Sequence, residues 1–334
     1  MAPEGPRVHV AMATYNGAHF IETQLQSFAQ QTRPPDAVFV CDDRSSDDTV
    51  ERIRRFASRS PFPVHVVVNE MNLGFAANFG RALSQACESG DLVFLSDQDD
   101  AWHPEKVERV IEAFRADPTA QLVIHDAAIT DSQLNETGLT LLGQTRSAGF
   151  SDDAFITGAC TAVRTGLLSV ALPIPAPHHT HDGWLHLIAR LLGVRRILPD
   201  TLMRYRRHGA TTSGWVTSST ERARPWHVLR RVLAPANLRQ DPRRACHTRL
   251  EQERVLAERL ESRAAEIEAG LGVAPDVRLA ALARVLQARQ ANEARLRVLE
   301  RPLPFRALSA LQLYRAGGYR HFEGWKSLAK DVVR

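Results

Sequence analysis

Residues 94–107 read FLSDQDDAWHPEKV, an apolar run that leads into three aspartates, Asp97, Asp99 and Asp100. Carboxylates this close repel one another and are costly to bury unless a positive charge lies among them. Two interpretations are open: a solvated loop before a helix whose N-terminus favours negative charge, or a site for a divalent cation. Residues i and i+2 of a strand end project to the same side, so Asp97 and Asp99 are expected to face one site while Gln98 turns away.

This stretch is the last of four similar units in the N-terminal half. Short Val-, Leu- and Phe-rich strands alternate with helical patterns, which predicts a parallel sheet covered on both faces. The predicted strands are Val8–Ala13, Ala37–Asp42, Val64–Asn69 and Leu92–Asp97, and the helical patterns cover about 18–31, 48–58, 75–88 and 104–115. Polar residues follow each strand: 14–16, 42–43, 69–72 and 97–100. Because such sheets bind ligands at the carboxyl ends of their strands, the pattern predicts a nucleotide site there.

The glycine content of the first loop narrows the kind of nucleotide site. A dinucleotide-binding dehydrogenase needs G-x-G-x-x-G after the first strand, whereas residues 13–20 read ATYNGAHF with the single glycine Gly17. The P-loop pattern GxxxxGK[ST] is absent from the sequence. Without a glycine cradle a diphosphate needs another counter-charge, and a cation held by Asp97 and Asp99 would supply it.

Composition gives broad limits. The chain has 334 residues, 44% hydrophobic and 24% charged, which suits one large globular domain and a smaller one. Its four cysteines form no CxxC pair, so neither a disulfide framework nor a zinc site is expected and a reducing cytoplasm fits best. Neither a signal peptide nor a spanning helix is expected, which leaves a soluble protein or one that lies on a membrane surface.

Positive charge is concentrated late in the chain. Residues 204–263 hold fourteen arginines, no lysine and six acids, a balance of +8 within a total of +4. Such a surface suits an anionic partner such as a phosphate, nucleic acid or acidic lipid, although a solvated helix face is the commoner reason for a charge run. Residues 226–300 show helical spacing, so we expect one domain over 1–215 and a helical region over 216–334.

An ordered set of seven motifs carries a family resemblance. The set resembles family 2 glycosyltransferases of the GT-A fold, and SDQDD-x-W is most similar to their bacterial rhamnosyltransferase-like subgroup. The motifs are VAMATYNGAHFIETQLQSFAQQT (10–32), VFVCDDRSSDDT (38–49), NLGFAANFGRAL (72–83), FLSDQDDAWHPEKV (94–107), ITGACTAV (156–163), HDGWLHLIA (181–189) and YRRHG (205–209). The resemblance implies an α/β fold with a Rossmann-like, mostly parallel sheet, followed by the helical region.

The resemblance also implies the residues of a donor pocket. Thr14, Tyr15 and Asn16 would line the base and ribose pocket, and Asp43 would accept a hydrogen bond from the base ring NH. Asn72, in the polar group after the third strand, belongs to the same nucleotide-binding set. Asp97 would hold the ribose.

Three further residues complete the implied chemistry. Asp99 would bind the metal, His208 in YRRHG would complete the metal site, and Asp182 in HDGW would be the catalytic base. The histidines 178, 179 and 181 near Asp182 suggest a metal site of their own, but they lie in a proline-rich loop without cysteine support, so the base is favoured. One departure concerns the closing loop, where relatives often have Asn-Asn and this chain has Ala210 and Thr211.

These roles describe an inverting transferase that uses Mn²⁺ or Mg²⁺. The expected donor is dTDP-L-rhamnose, with another dTDP- or UDP-sugar as the wider class, and the expected acceptor is a glycan or a lipid-linked glycan of cell-surface polysaccharide synthesis. No nucleic acid partner is expected, and peripheral membrane contact would use the basic region. Two alternatives are a nucleotidyltransferase, whose glycine-rich lysine loop is missing here, and a non-catalytic nucleotide-sugar-binding protein.

Overall fold

A computed structural model describes residues 5–176, 178, 180–209, 218–232, 241–303, 305–322, 327–328 and 331–332. The chain divides into two compact units. The first consists of Met1–Ile174 with His178–Arg230, and the second of Pro175–Pro177 with Arg231–Arg334.

A nine-stranded sheet forms the centre of the first unit. Its strands are β1 (Val8–Thr14), β2 (Ala37–Asp42), β3 (Val64–Val68), β4 (Leu92–Ser96), β5 (Ala101–Trp102), β6 (Leu122–Thr130), β7 (Glu136–Thr140), β8 (Thr161–Arg164) and β9 (Arg195–Arg206). The order across the sheet is β3-β2-β1-β4-β8-β6-β9-β5, and β7 pairs with β6 beside this path. The predicted α/β class is confirmed.

Helices follow the early strands as the sequence predicts. The helices of this part are α1 (Ile21–Ala29), α2 (Thr49–Ala57), α3 (Phe75–Ala86), α4 (Lys106–Ala116), α5 (Leu141–Ser147), α6 (Thr165–Ala171), α7 (His181–Leu191) and α8 (Pro225–Val232). β1 and β4 are buried along almost their whole length, since helices cover both faces. Phe28, Leu83 and Phe114 supply large buried side chains from α1, α3 and α4.

The sheet is mixed, whereas the sequence predicts a mostly parallel one. β1, β2, β3 and β4 are parallel, but β8 runs antiparallel to both β4 and β6. The regular alternation of strand and helix ends with α4, and the chain then turns back directly, as in the antiparallel pair β6 and β7. Antiparallel strands need no helical crossover, so this part of the sheet lacks the sequence signature of the first part.

Register aligns the carboxyl ends of the first four strands. Thr14 pairs with Asp42, Asp42 pairs with Val68, and Met12 pairs with Ser96. The loops after β1, β2, β3 and β4 therefore leave the sheet at one edge, and the polar groups predicted there share one site.

The second unit is helical. It contains α9 (Pro242–Ser262), α10 (Pro275–Leu299) and α11 (Phe305–Arg315), and α10 packs against both of the others. The guanidinium of Arg295 makes two hydrogen bonds of 2.7 and 2.8 Å to the buried carboxylate of Asp331, which also accepts one from the Tyr319 hydroxyl at 2.8 Å. No helix in the described part of the chain is long and apolar enough to cross a membrane.

Candidate functional site

The loop after β1 is tied to the loops after β2 and β4. The backbone NH of Asn16 donates to Ser45 Oγ at 2.8 Å, and Asn16 Oδ1 accepts from the Ser46 NH at 2.8 Å. Asn16 has a positive φ of 47°, which asparagine tolerates better than most residues. These bonds hold the neighbouring Tyr15, which is 50% exposed, at the sheet edge.

Gln98 fixes the same loop from the side of β4. Its side-chain amide accepts a hydrogen bond from the Tyr15 NH at 2.9 Å and donates one to the Tyr15 carbonyl at 3.0 Å. A Cβ at position 17 would collide with this amide, so a larger residue than Gly17 would displace the Gln98 side chain. Gln98 thus turns toward the loop after β1, and sequence reasoning did not predict this contact.

The carboxylates of Asp42 and Asp43, at the end of β2, fix the neighbouring loops by accepting hydrogen bonds from them. Asp42 Oδ2 accepts from Thr14 Oγ1 at 2.7 Å, and its two oxygens also accept from Ser45. Asp43 Oδ1 accepts from Asn69 Nδ2 at 2.8 Å and from the Leu73 NH at 2.7 Å.

Asp43 Oδ2 accepts from the Gly74 NH at 2.9 Å, so its carboxylate shapes the segment that contains Asn72. Asn72 is exposed, and its amide donates to the Asp43 carbonyl at 3.3 Å. The predicted donor-pocket residues therefore lie on one hydrogen-bonded rim.

The cluster after β4 brings three carboxylates together. Oxygens of Asp97, Asp99 and Asp100 lie within 4.8 Å of one another. His208, on the segment after β9, reaches Asp99 with 2.8 Å between Nε2 and Oδ2. The His208 ring packs against Phe20 with 4.3 Å between ring centroids, which fixes its orientation.

The electrostatics of the cluster are unfavourable without a counter-charge. Burial, then the charges of Asp99 and Asp182, raise the pKa of Asp97 to about 7. Burial and the neighbouring carboxylates also raise the pKa of Asp100 well above its ordinary value. Asp100 Oδ1 accepts from the Arg206 NH at 2.9 Å, while its buried Oδ2 has no hydrogen-bond partner among the described residues.

This donor set fits a hard divalent cation. Mg²⁺ and Ca²⁺ bind oxygens at about 2.0–2.6 Å, so oxygens on opposite sides of such an ion lie about 4–5 Å apart. The three carboxylates meet that spacing, and the orphaned Asp100 Oδ2 marks a place for positive charge. Histidine nitrogen beside carboxylate is also a donor set suited to Mn²⁺.

Asp182 begins α7 beside the cluster. The Thr180 hydroxyl caps this helix by accepting from the Gly183 NH at 3.2 Å, and that NH also lies 2.7 Å from Asp182 Oδ1. Burial raises the pKa of Asp182, but His181, His186 and the Gly183 NH outweigh it, so the net shift is downward. The charge of Asp182 also contributes to the raised pKa of Asp97, so the two carboxylates interact electrostatically.

Lys106 is a buried cation that sequence reasoning missed. Its Nζ donates to the Ala159 carbonyl at 2.9 Å and lies 3.8 Å from the centre of the Trp102 ring. Burial lowers the pKa of Lys106 to about 7, although Asp100 and Asp97 act in the opposite direction. A lysine at a helix start reads as solvent-facing, so only the fold shows that it lies behind the carboxylates.

Two further side chains near the site are held by the fold. Arg206, in the YRRHG motif, is buried and donates from Nε to the Asp99 carbonyl at 2.6 Å and from Nη1 to the Ser132 carbonyl at 2.7 Å. His178 is half-buried against Trp184 with 4.4 Å between ring centroids. His179, Ala210 and Thr211 lie outside the described residues.

Comparison with known proteins shows a family similarity over about the first half of the chain. Residues 9–169 match glycosyl transferase family 2. An uncharacterized protein of Mycobacterium tuberculosis is 28% identical over 227 residues, which are 66% of this chain and 63% of that protein. The match thus spans less than two thirds of that relative. A dTDP-rhamnosyl transferase of Shigella flexneri is 34% identical over 103 residues, 30% of this chain and 36% of that protein.

A solved structure shares the fold. S. aureus TarS 1-349 in complex with UDP-GlcNAc aligns with a TM-score of 0.53 and 18% identity, covering 94% of this chain and 82% of that one. At this identity the likeness establishes the GT-A-like mixed sheet with flanking helices. The family match covers residues 9–169, so this part of the chain is similar to glycosyl transferase family 2.

Proposed function

We propose that this protein is a metal-dependent inverting glycosyltransferase. It moves a sugar from a nucleotide-sugar donor to a glycan or lipid-linked acceptor in cell-surface polysaccharide synthesis. The observation that carries this proposal is the meeting, at one sheet edge, of the Asp97, Asp99 and Asp100 carboxylates with His208 and with the charge of Asp182. Three different parts of the chain contribute to it.

The donor nucleotide lies on the rim formed by Thr14, Tyr15, Asn16, Asp43 and Asn72. The half-exposed ring of Tyr15 offers a stacking face for a base, which supports this placement. Asp43 Oδ2 receives one described hydrogen bond, from the Gly74 NH, and a carboxylate oxygen has room for a second donor such as a base ring NH.

Asp99 and His208 would hold Mn²⁺ or Mg²⁺, and Asp97 would contact the ribose while contributing negative charge. When bound, the cation neutralises the charge that develops on the departing nucleoside diphosphate. Asp99 is positioned for the cation by two hydrogen bonds, one between its side chain and His208 and one from Arg206 to its carbonyl.

Asp182 is the general base. Its lowered pKa keeps the carboxylate ionised at neutral pH, ready to take the proton of the acceptor hydroxyl. The Gly183 NH fixes the direction of Oδ1. A base placed in this way contributes about 10²–10⁴-fold to rate, and a single displacement with one base inverts the anomeric centre.

The proposed donor is dTDP-L-rhamnose. The SDQDD-x-W motif and the Shigella flexneri relative support it, although that match covers 36% of the relative. Thermal shift with dTDP, UDP, GDP and CDP, each with and without Mn²⁺, tests the base preference, because stabilisation grows with ligand concentration over Kd. Stabilisation by dTDP supports the proposal. Turnover of a UDP-sugar, with dTDP-rhamnose inert, contradicts the donor.

The remaining parts of the proposal concern the whole chain. Residues 1–215 form the transferase domain and residues 216–334 a helical region, at a cytoplasmic location. The basic segment Arg222–Arg263 contributes to contact with an anionic membrane face or a diphosphate-lipid acceptor. Release of nucleoside diphosphate in the presence of acceptor separates this enzyme from a non-catalytic sugar-nucleotide-binding protein, which would bind the donor and release none.

A further inference from the structure

Helix α11 carries its large apolar side chains on the outside. Phe305 and Leu308 are each 62% exposed and Leu311 is 44% exposed, whereas Ser309 and Ala310 are buried. At 100° per residue, Phe305, Leu308 and Leu311 form one stripe, opposite the buried side. A helix that packs on a core normally buries its large apolar residues and exposes the small polar ones, so α11 reverses the usual arrangement.

The buried side of α11 already has packing and hydrogen-bond partners. This helix packs against α10, Ser309 Oγ donates to the Phe305 carbonyl at 2.9 Å, and Arg301 Nη1 donates to Ser309 Oγ at 2.6 Å. Leu303, two residues before the helix, is also 59% exposed, and we group it with the stripe. The stripe is thus a surface of a packed helix, and its exposure needs an occupant from outside the unit.

The charge around the stripe indicates that occupant. Residues 301–322 contain four arginines and no Asp or Glu, a balance of +4. Arg315, the last residue of α11, is exposed, whereas the Arg301 guanidinium reaches Ser309 on the buried side. A second copy of the chain would bring two such cationic segments together, whereas a bilayer with anionic headgroups complements both the arginines and the apolar stripe.

We propose that α11 docks this protein onto an anionic membrane surface. The stripe of Leu303, Phe305, Leu308 and Leu311 inserts at the boundary of headgroups and acyl chains, about 5–10 Å deep, and the arginines contact lipid phosphates. This deepens the membrane contact in the proposed function by assigning its insertion to α11, outside the Arg222–Arg263 segment. It rests on that contact but not on sugar transfer.

Vesicle flotation of the full chain tests the proposal. The unchanged protein should float with vesicles of equal parts phosphatidylglycerol and phosphatidylcholine and stay behind with phosphatidylcholine alone. The double variant Phe305→Ser, Leu308→Ser should lower partitioning about tenfold or more, because two large apolar contacts are lost. The matched control is Val277→Ser, Leu279→Ser, which removes exposed apolar groups from the start of α10, about 30 Å along that helix from its C-terminal end.

A second variant and a second measurement distinguish lost docking from misfolding of the double variant. Leu308→Trp keeps an apolar side chain, and its fluorescence should be quenched by brominated lipid in the anionic vesicles. Metal-dependent nucleotide binding, measured on every variant, separates a failed docking surface from a failed transferase. The proposal is overturned if the unchanged protein ignores anionic vesicles, if both double variants float equally, or if the stripe variant loses only self-association.

Discussion

Asp42 ends β2 and Asp43 follows it on one side of β1, and Asp97, Asp99 and Asp100 follow β4 on its other side. Every carboxylate oxygen of the first pair has a hydrogen-bond partner. Hydrogen bonds from Thr14, Ser45, Asn69, Leu73 and Gly74 reach its four carboxylate oxygens. This pair uses its negative charge to hold three loops in place.

The second cluster is crowded and incompletely bonded. Asp100 Oδ2 is buried with no partner among the described residues, and burial with mutual repulsion raises the pKa of both Asp97 and Asp100. The comparison shows that the number of hydrogen-bond donors around a carboxylate, and not the number of acidic residues, distinguishes a carboxylate that holds loops from one that can bind a ligand. Two adjacent aspartates occur in both places in this chain.

The largest expected effect is on turnover. Asp182→Asn should lower the rate by about 10²–10⁴-fold, because the amide cannot take the acceptor proton. Nucleotide and metal affinity should stay unchanged, as the base acts on the acceptor. Donor turnover and nucleotide titration of the same preparation measure both, with Asp153→Asn, an exposed aspartate, as the control. Full turnover in Asp182→Asn would show that Asp182 is not the general base.

Loss of a carboxylate that holds loops should cost folding stability. Asp43→Ala leaves the Asn69 amide and the NH groups of Leu73 and Gly74 without their acceptor, which predicts about 2–4 kcal/mol of destabilisation in urea unfolding. Asp48→Ala is the control: Asp48 is exposed and bonds mainly to Arg52, so its loss should cost much less than that of Asp43. Equal losses would show that the two aspartates do not differ in role.

The crowded cluster should make metal-free stability depend on pH. The pKa of Asp97 is about 7 in the folded protein against an ordinary 3.8, so the folded state binds the proton more tightly. Its contribution to stability is therefore fully present below the ordinary value and is lost as pH rises through about 7. Urea midpoints across this range, with and without Mn²⁺, check the sign. Saturating Mn²⁺ should flatten or reverse the slope.

The smallest effect has the opposite sign to that of Asp43→Ala. Asp100→Asn replaces a buried carboxyl group, whose charged form two neighbouring carboxylates oppose, by a neutral amide whose NH₂ group would be a donor among acceptors. Metal-free protein should gain about 1 kcal/mol, and the gain should vanish when Mn²⁺ is present. Chemical unfolding in a chelator and in Mn²⁺ gives the two values. A loss comparable to that of Asp43→Ala would mean that Asp100 also serves only to hold its loop.

The regular part of this fold is readable from sequence. The strand predicted over Ala37–Asp42 is found with those limits, and the helix predicted over about 75–88 is found at Phe75–Ala86, because long apolar runs and helical spacing are local signals. The polar residues after each strand likewise indicated the shared edge. Local patterns were sufficient wherever neighbours in sequence determine the structure.

Contacts between distant parts of the chain were not readable. Lys106 donates to the Ala159 carbonyl, 53 positions away, and the Gln98 side chain bonds the Tyr15 backbone, 83 positions away. Nothing in the local sequence around these two residues distinguishes them from a surface lysine or glutamine. The antiparallel position of β8 between β4 and β6 was also not predictable from the sequence, since no crossover helix precedes it in the pattern.

The central claim is that the cluster after β4 holds a cation jointly with His208, and nucleotide titration with and without Mn²⁺ tests it most directly. Asp99→Asn and His208→Ala should each abolish the metal-dependent part of binding while thermal unfolding without metal shows an intact fold. The double variant should bind no more weakly than either single one, since both dismantle one site. If Asp99→Asn binds nucleotide and Mn²⁺ like the unchanged protein, the cluster is only a charged helix start.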